Sequence, residues 1–229
     1  MDKIVIVIPV YNEEELLTGN TESLMEFLNS LGMKYHIILS SNGSTDRTNL
    51  LGKELQRRYP QVKFISTPHR GVGKAFREAL PLANCEKIIS MDMDLTVDLA
   101  FVNKAKDLLD DYEIVIGSKI QGLQRRSWFR KAGSQFYVFI AKKMLRLEYN
   151  DYAPSGKAYR KSVVQKYLDG KDNGTTYVVE TVYRAKKDGH KIIQIPIDCD
   201  DRRKSKFNLL QEGVYKFSHL FRMCFKEIF

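Results

Sequence analysis

Residues 88–96, Ile88-Ile89-Ser90-Met91-Asp92-Met93-Asp94-Leu95-Thr96, are an apolar run that stops at two carboxylates one residue apart. The run reads as a strand that delivers both acids to one point, because alternate side chains of an extended segment face the same way. Paired hard oxygen donors suit Mg²⁺ or Mn²⁺, ions that commonly keep open positions for substrate phosphates. Two solvated loop acids would look the same in isolation, and the chain repeats the pattern at Asp198-Cys199-Asp200. The surroundings of each copy have to separate them.

Outward from this stretch, strands and helices alternate. Lys3 to Ile8 (KIVIVI) is a β-branched run ended by Pro9, the pattern of a parallel strand buried on both faces. After the loop Pro9–Glu13, apolar residues from Leu16 to Leu31 recur at helical spacing, with Gly32 as a stop. Tyr35–Leu39 is a second strand, and Ser40–Asp46 is a turn ending in helix-capping residues. Val62–Ser66 is a third strand. Gly71-Val72-Gly73-Lys74 then opens a helix, either as a cradle whose amides approach an anion or as a tight turn with a surface lysine. Glu86–Met91 and Tyr112–Gly117 complete the series. Alternation of this kind predicts a wound, mainly parallel sheet, whose ligands bind beyond the carboxyl ends of its strands. That rule gathers Pro9–Glu13, Ser40–Asp46 and Asp92–Asp94 onto one rim. Asp198 and Asp200 follow a late strand, Lys191–Ile197, outside the alternating block, so Asp92 and Asp94 are the expected metal pair.

The 229 residues can bury a sizeable core, and the formal charge of +9 is unevenly spread. Residues 1–118 hold 13 basic and 17 acidic side chains, whereas 119–146 holds eight basic and no acidic ones and 202–229 holds seven and two. The excess therefore suits anionic phosphates at a membrane surface. Nucleic acid is not an expected partner, because the aromatics near these cations fall on apolar helix faces rather than forming a stacking platform. Cys85, Cys199 and Cys224 have no metal or disulfide spacing, which fits a reducing cytoplasm. No apolar run is long enough for a membrane span, so a peripheral or soluble chain is expected. Residues 125–147 read as a basic helix with an apolar face of Phe129, Phe136, Phe139, Ile140 and Met144. A C-terminal amphipathic helix repeats Phe207, Leu210, Val214, Phe217, Phe221 and Cys224 at three- and four-residue steps.

Ile8-Pro9-Val10-Tyr11-Asn12-Glu13, Asn42-Gly43-Ser44-Thr45-Asp46-Arg47-Thr48, His69-Arg70-Gly71-Val72-Gly73-Lys74-Ala75 and Met91-Asp92-Met93-Asp94-Leu95, in this order and spacing, resemble the family 2 glycosyltransferases. Asp151–Arg160 (DYAPSGKAYR), Glu180 with Arg184 and Gly189, and Gln194–Ile197 followed by Asp201-Arg202 and Ser205-Lys206 resemble the polyprenyl-phosphate sugar transferases among them, such as dolichol-phosphate mannose and glucose synthases. The sequence departs from the usual pattern at Ser155-Gly156, at Ser41-Asn42, where an acidic pair is usual, and in the shortened basic loop.

The resemblance implies an α/β GT-A (Rossmann-like) fold, a mainly parallel sheet flanked by helices, with C-terminal amphipathic helices. It implies one catalytic domain over 1–229, with a nucleotide-sugar half at 1–118, an acceptor-side half at 119–201, and a basic loop and helix at 202–229. Asp92 and Asp94 would be the catalytic metal ligands for Mg²⁺ or Mn²⁺. Pro9, Tyr11, Glu13 and Asn42 would hold the nucleoside, with Lys74 and Met93 also on the donor. Lys119, Arg202 and Lys206 would meet phosphate oxygens, and Arg125, Arg126 and Arg130 the lipid headgroup.

The implied reaction is inverting transfer of a hexose from a GDP-mannose or UDP-glucose type donor to polyprenyl or dolichyl phosphate at the cytoplasmic face of a membrane. A membrane-anchoring subunit is compatible with it. Two other readings stay open: a saccharide hydroxyl acceptor with Glu180 or Asp151 as base, and a non-catalytic module that binds a membrane or partner.

Overall fold

The computed structural model describes residues 3–125, 128–168, 173–200 and 209–225. Strands β1 (Lys3–Val10), β2 (Lys34–Asn42), β3 (Val62–Thr67) and β4 (Lys87–Ser90) alternate with helices α1 (Leu17–Ser30), α2 (Thr48–Arg58) and α3 (Val72–Ala79). Helix α4 (Ala100–Leu108) leads to β5 (Ile114–Ser118), as the alternation predicts. There follow β6 (Gln124–Arg125), α5 (Trp128–Leu145), β7 (Lys157–Arg160), α6 (Lys161–Tyr167), α7 (Tyr177–Lys187), β8 (Ile192–Pro196), β9 (Cys199–Asp200) and α8 (Leu209–Phe225).

The main sheet has the order β3-β2-β1-β4-β7-β5-β8. Every neighbouring pair is parallel except β4–β7 and β7–β5. Strand β7 is thus an antiparallel wedge between two parallel blocks, and its short, lysine-led sequence does not announce it. The sheet is buried on both faces, because alternate residues of β1 enter opposite cores: Ile4, Ile6 and Ile8 join α1, α2 and α4, while Val5 and Val7 join α3, α5 and α7. Each such fully buried aliphatic side chain contributes about 1.5–3 kcal/mol relative to exposure.

Pro9 lies inside β1 rather than ending it, in register with Ser40. The carbonyl of Val7 faces β4 and takes the last bond on that side, from the Met91 amide at 3.1 Å. Pro9 has the same parity, so its missing N–H points where β4 has already stopped, and no ladder bond is lost. Helix α1 stops as predicted at Gly32: the Gly32 and Met33 amides donate to Asn29 and Leu28 carbonyls at 2.9 and 3.1 Å.

The two amphipathic helices match their predicted apolar stripes in part: Ile140, Met144, Phe217 and Cys224 pack against the core, whereas other expected positions do not. On α5 the buried positions are Tyr137, Val138, Ala141 and Leu145, while Phe136 and Phe139 are 58% and 52% exposed. On α8 Leu220 is fully buried, yet Val214 and Phe221 face outward. The reason is that α5 must satisfy the sheet and α8 at once. Phe217 of α8 meets both Phe136 and Tyr137 with ring centroids 5.7 Å apart. The remaining aromatic surface of the pair is left outside. The side chain of Phe129, the side chain of Leu210 and all of Phe207 lie outside the described residues. Among the described residues no helix is long and apolar enough to cross a membrane.

Candidate active site

Three strand ends converge at the rim. The first two loops are laced together by short polar bonds: the Asn12 amide donates to Ser44 Oγ (3.1 Å), the Thr45 amide to Asn12 Oδ1 (2.8 Å), and the Glu13 amide to Thr48 Oγ1 (2.8 Å). Asn12 adopts φ 51°, a left-handed conformation that asparagine tolerates better than most residues. Asp46, one residue before the N-cap Arg47 of α2, accepts from the Thr48 amide at 2.9 Å. Tyr11 is half-buried at the rim and not a core aromatic; the Arg70 guanidinium lies 4.0 Å over its ring. Pro9 and Glu13 are half-buried beside it.

Asn42 has a different place from the one expected for a nucleoside contact. It is 2% exposed. Its Nδ2 donates to the Val10 carbonyl at 2.8 Å, and its Oδ1 accepts from the Gly71 amide at 3.1 Å. The amide thus ties the ends of β1 and β2 to the start of α3, a double role that a carboxylate, which only accepts, could not fill. The Gly71–Lys74 turn does start a helix, but the amides of Gly71, Gly73 and Lys74 are taken. Gly73 donates to the Asn173 and Gly174 carbonyls at 3.0 and 2.9 Å, and Lys74 to Asn173 at 3.3 Å. The approach is so close that a Cβ on Gly71 would lie 2.6 Å from the Asn173 oxygen. Lys74 itself pairs with Glu78 at 3.7 Å. An anion cradle is therefore not what these glycines build.

The carboxylate turn follows β4 directly. The Asp92 amide donates to Ser155 Oγ (3.1 Å), and the Leu95 amide returns to the Asp92 carbonyl (3.2 Å) with Leu95 at φ 50°. Asp94 Oδ1 accepts from the Thr96 amide and hydroxyl at 3.2 and 3.0 Å. Met93, expected on the donor, instead points into the core at 2% exposure, and its carbonyl accepts from Asn20 Nδ2 at 2.8 Å. Residues 92–95 form a turn rather than an extended strand, and the Met93 sulfur meets the Thr21 hydroxyl of α1 at 3.9 Å. Burial pushes the Asp92 carboxyl up to about 6; Lys119 opposes the shift and the Asp94 charge adds to it.

A dication fits this pair. Its charge would offset both the desolvation of Asp92 and the repulsion from Asp94, and the donors are hard oxygens. No group of three or more His, Cys, Asp or Glu that could hold a metal occurs among the described residues. A pair of carboxylates leaves coordination positions open, which Mg²⁺ commonly fills with water and phosphate oxygens.

Behind the pair lies a buried ionic layer. Lys119 is 7% exposed, and its amide donates to Asp151 Oδ2 at 3.0 Å. Lys157, fully buried on β7, pairs with Asp151 Oδ1 at 3.1 Å. Burial would raise the Asp151 carboxyl, but Lys157 and Lys119 outweigh it and hold the group below its usual range. Burial likewise holds Lys157 below the usual lysine range, with Asp151 opposing. Asp151 is thereby engaged in a buried charge pair with Lys157. Glu180, the other proposed base, faces Arg184 at 3.6 Å and His219 at 3.3 Å.

The second acidic copy is also accounted for. Asp198 Oδ1 accepts from the Leu123 amide at 2.8 Å, and Asp200 lies in β9, which pairs in parallel with β6. Arg125 belongs to β6 and Arg130 to α5, but their side chains lie outside the described residues, as do Arg126, Arg202 and Lys206 altogether. Ser155, Lys157, Asn20 and Arg70 were not among the expected site residues. Ser155 and Lys157 sit in the quoted Asp151–Arg160 stretch, where a lysine among Ala158 and Tyr159 was the available signal.

Among curated proteins the chain is 25% identical over 210 residues to an undecaprenyl-phosphate 4-deoxy-4-formamido-L-arabinose transferase of Edwardsiella ictaluri, covering 90% of this chain and 63% of that protein. It is 22% identical over 218 residues to glycosyltransferase AglD of Haloferax volcanii, covering 92% of this chain and 35% of that protein. The chain therefore spans less than two thirds of either relative. Its fold matches the Mycobacterium tuberculosis glucosyl-3-phosphoglycerate synthase in complex with phosphoglyceric acid, with a TM-score of 0.72, 15% identity, and coverage of 97% of this chain and 80% of that one. The same synthase with Mn²⁺, UDP and glucosyl-3-phosphoglycerate gives a TM-score of 0.67 at 15% identity, covering 94% and 76%. Residues 1–349 of Staphylococcus aureus TarS with UDP-GlcNAc give 0.60 at 14% identity, covering 93% and 66%. These likenesses establish the α/β GT-A architecture. The family described as glycosyl transferase family 2 matches residues 5–168, well over half the chain. The chain belongs to glycosyl transferase family 2.

Proposed function

We propose that this chain is a metal-dependent, inverting glycosyltransferase that moves a hexose from a GDP- or UDP-sugar to a polyprenyl phosphate at a membrane surface. The observation that carries the reading is the Asp92–Asp94 turn on the rim of β1, β2 and β4, with Lys119 close enough to act on the Asp92 charge. The relative named as an undecaprenyl-phosphate transferase supports the acceptor class, and the Mn²⁺ and UDP in the synthase complex support the donor site.

An acceptor phosphate is largely ionised near neutral pH, with a second pKa of about 6, so its oxygen can attack the anomeric carbon without a general base. The commitment of Asp151 to Lys157 and of Glu180 to Arg184 and His219 supports a phosphate over a hydroxyl acceptor. As the new C–O bond forms, the bond to the nucleoside diphosphate breaks and that group leaves with the electron pair. Asp92 and Asp94 would hold a divalent ion, which would supply neutralisation of the leaving diphosphate. Among the described residues, Lys119 is the cation with the largest effect on Asp92 and would add to that stabilisation. Tyr11 and Arg70 supply an aromatic face and a stacking guanidinium for the nucleoside. Residues 1–118 would serve the donor, 119–201 the acceptor, and 202–229 the phosphate and lipid contacts.

The membrane face is α5 with α8. Of the nine large apolar side chains exposed among the described residues, Trp128, Phe136, Phe139, Val214, Phe221 and Phe225 lie on these two helices. Lys143 flanks them, its ammonium 4.9 Å from the Phe139 ring. Aromatics and lysines together suit the headgroup boundary of an anionic bilayer. A groove lined by Ile120, Val138, Phe139, Lys142, Lys143 and Asn150 runs along α5 and would receive the isoprenoid chain.

The test is incubation with radiolabelled GDP-mannose or UDP-glucose, Mn²⁺ and a short polyprenyl phosphate in anionic liposomes. Label in the organic phase is expected. Label confined to a soluble glycan would replace the acceptor class, and no turnover of any sugar nucleotide would favour a non-catalytic module. Transfer in detergent without sedimentation on liposomes would assign anchoring to a separate subunit.

A further inference from the structure

The wedge strand β7 poses a mechanical problem: it separates β4, which delivers Asp92, from β5, which leads into Lys119. Lys157 stands in register with Ser90 on one side and Ile116 on the other. Its ammonium has three N–H groups and three acceptors: the Gly117 carbonyl at 3.0 Å, Asp151 Oδ1 at 3.1 Å and the Ser155 carbonyl at 3.1 Å. Two arms start from this hub. On one arm Asp151 Oδ2 accepts from the Lys119 amide at 3.0 Å. On the other Ser155, 1% exposed, accepts the Asp92 amide on its Oγ at 3.1 Å. Gly156 closes the gap, with its amide on the Ser90 carbonyl at 2.9 Å and its carbonyl on the Gly117 amide at 2.8 Å. Its φ of 68° puts a side chain there under strain, and a Cβ would lie 2.7 Å from Ile197 Cδ1.

We infer that Asp151, Ser155 and Lys157 are positioning residues: one buried ion pair fixes Lys119 and the Asp92 end of the carboxylate pair relative to each other across β7. The inference rests on the proposed donor site and deepens it. Stability alone gives little reason for such a pair, since well-packed apolar residues of similar volume are often as stable or more so. Its distinguishing property is that both charges reach, through one hydrogen bond or one residue, the two groups that would act on the same diphosphate. Groups that orient metal ligands from behind typically change metal affinity or activity 10–100-fold when removed.

The experiment uses the full chain, with UDP and GDP as probes and the free-Mn²⁺ EPR signal as readout, alongside Tm. Ser155→Ala keeps both charges and should stay folded, yet lose about tenfold in Mn²⁺–nucleotide affinity. The double variant Asp151→Asn with Lys157→Met removes both charges together. It should keep a Tm near wild type while losing about 10–100-fold in Mn²⁺ affinity. Folded variants that bind Mn²⁺–nucleotide as wild type does would overturn the inference. If the double variant does not fold, Ser155→Ala decides alone. A wild-type chain that binds no Mn²⁺–nucleotide would remove the functional reading itself, whereas wild-type binding with unchanged variants removes only this inference.

Discussion

The rim of β1, β2 and β4 and the outer face of α5 and α8 solve opposite problems. At the rim, backbone amides and short polar side chains hold one another at 2.8–3.1 Å, so the geometry exists before any ligand arrives. On the helical face Phe136 and Phe139 stand more than half exposed, and binding there would depend on surface character rather than on fixed positions. A preorganised site suits a transition state, whose stabilisation fails with small displacements, whereas a bilayer demands only area and charge. The two halves of the proposed reaction should therefore be separable by mutation.

The largest expected effect is at the rim. Asp94→Asn should lower both donor hydrolysis and transfer by at least about 100-fold while Tm stays nearly constant, because a single charge stabiliser of this kind is commonly worth that much. Wild-type turnover in this variant, or full turnover of the wild type in EDTA, would remove the metal from the mechanism. Next comes Asn42→Ala, which strands the Val10 carbonyl and the Gly71 amide. A cost of about 1–3 kcal/mol is expected, read in a thermal melt as roughly 2–12 °C. An unchanged Tm would mean that the three loops do not depend on this side chain.

Phe136→Ser combined with Phe139→Ser should weaken sedimentation on anionic liposomes by roughly tenfold and leave donor hydrolysis untouched, as fits loss of exposed interfacial area. Equal losses in both assays would break the separation of the two regions. Met93→Leu should be the mildest: a volume-conserving change in the core, about twofold or less in donor KM and less than about 1.5 kcal/mol in stability. A large rise in donor KM would return Met93 to the rim.

Legibility in the sequence followed the same division. Strands buried on both faces announce themselves as unbroken aliphatic runs, so β1 through β5 fell within a few residues of their expected limits, and the rim followed from their order. The failures have physical causes. Strand β7 hides because its first residue is a lysine whose burial depends on an aspartate six positions earlier. Period-3.6 counting favours the bulkiest residues, so it selected Phe136, Phe139 and Phe221 for the inner face. Packing instead selected Tyr137, Ala141 and Leu220, because α5 and α8 meet each other as well as the sheet. The Gly71–Lys74 turn carries a helix N-terminus that a sequence cannot show to be occupied by a carbonyl from residue 173, a hundred positions away.

The antiparallel wedge has a further consequence, for the order in which the molecule can be made. Strands β1 to β4 find all their parallel partners among themselves, so that block can assemble as soon as residue 90 has been synthesised. Strand β5 pairs only with β7 and β8, both of which lie more than 35 residues later in the chain. During translation it must wait, apolar and unpaired, until 157–160 emerges and docks on β4; the late half of the protein is licensed by a four-residue strand, and that interval is when the nascent chain is most exposed to wrong pairing.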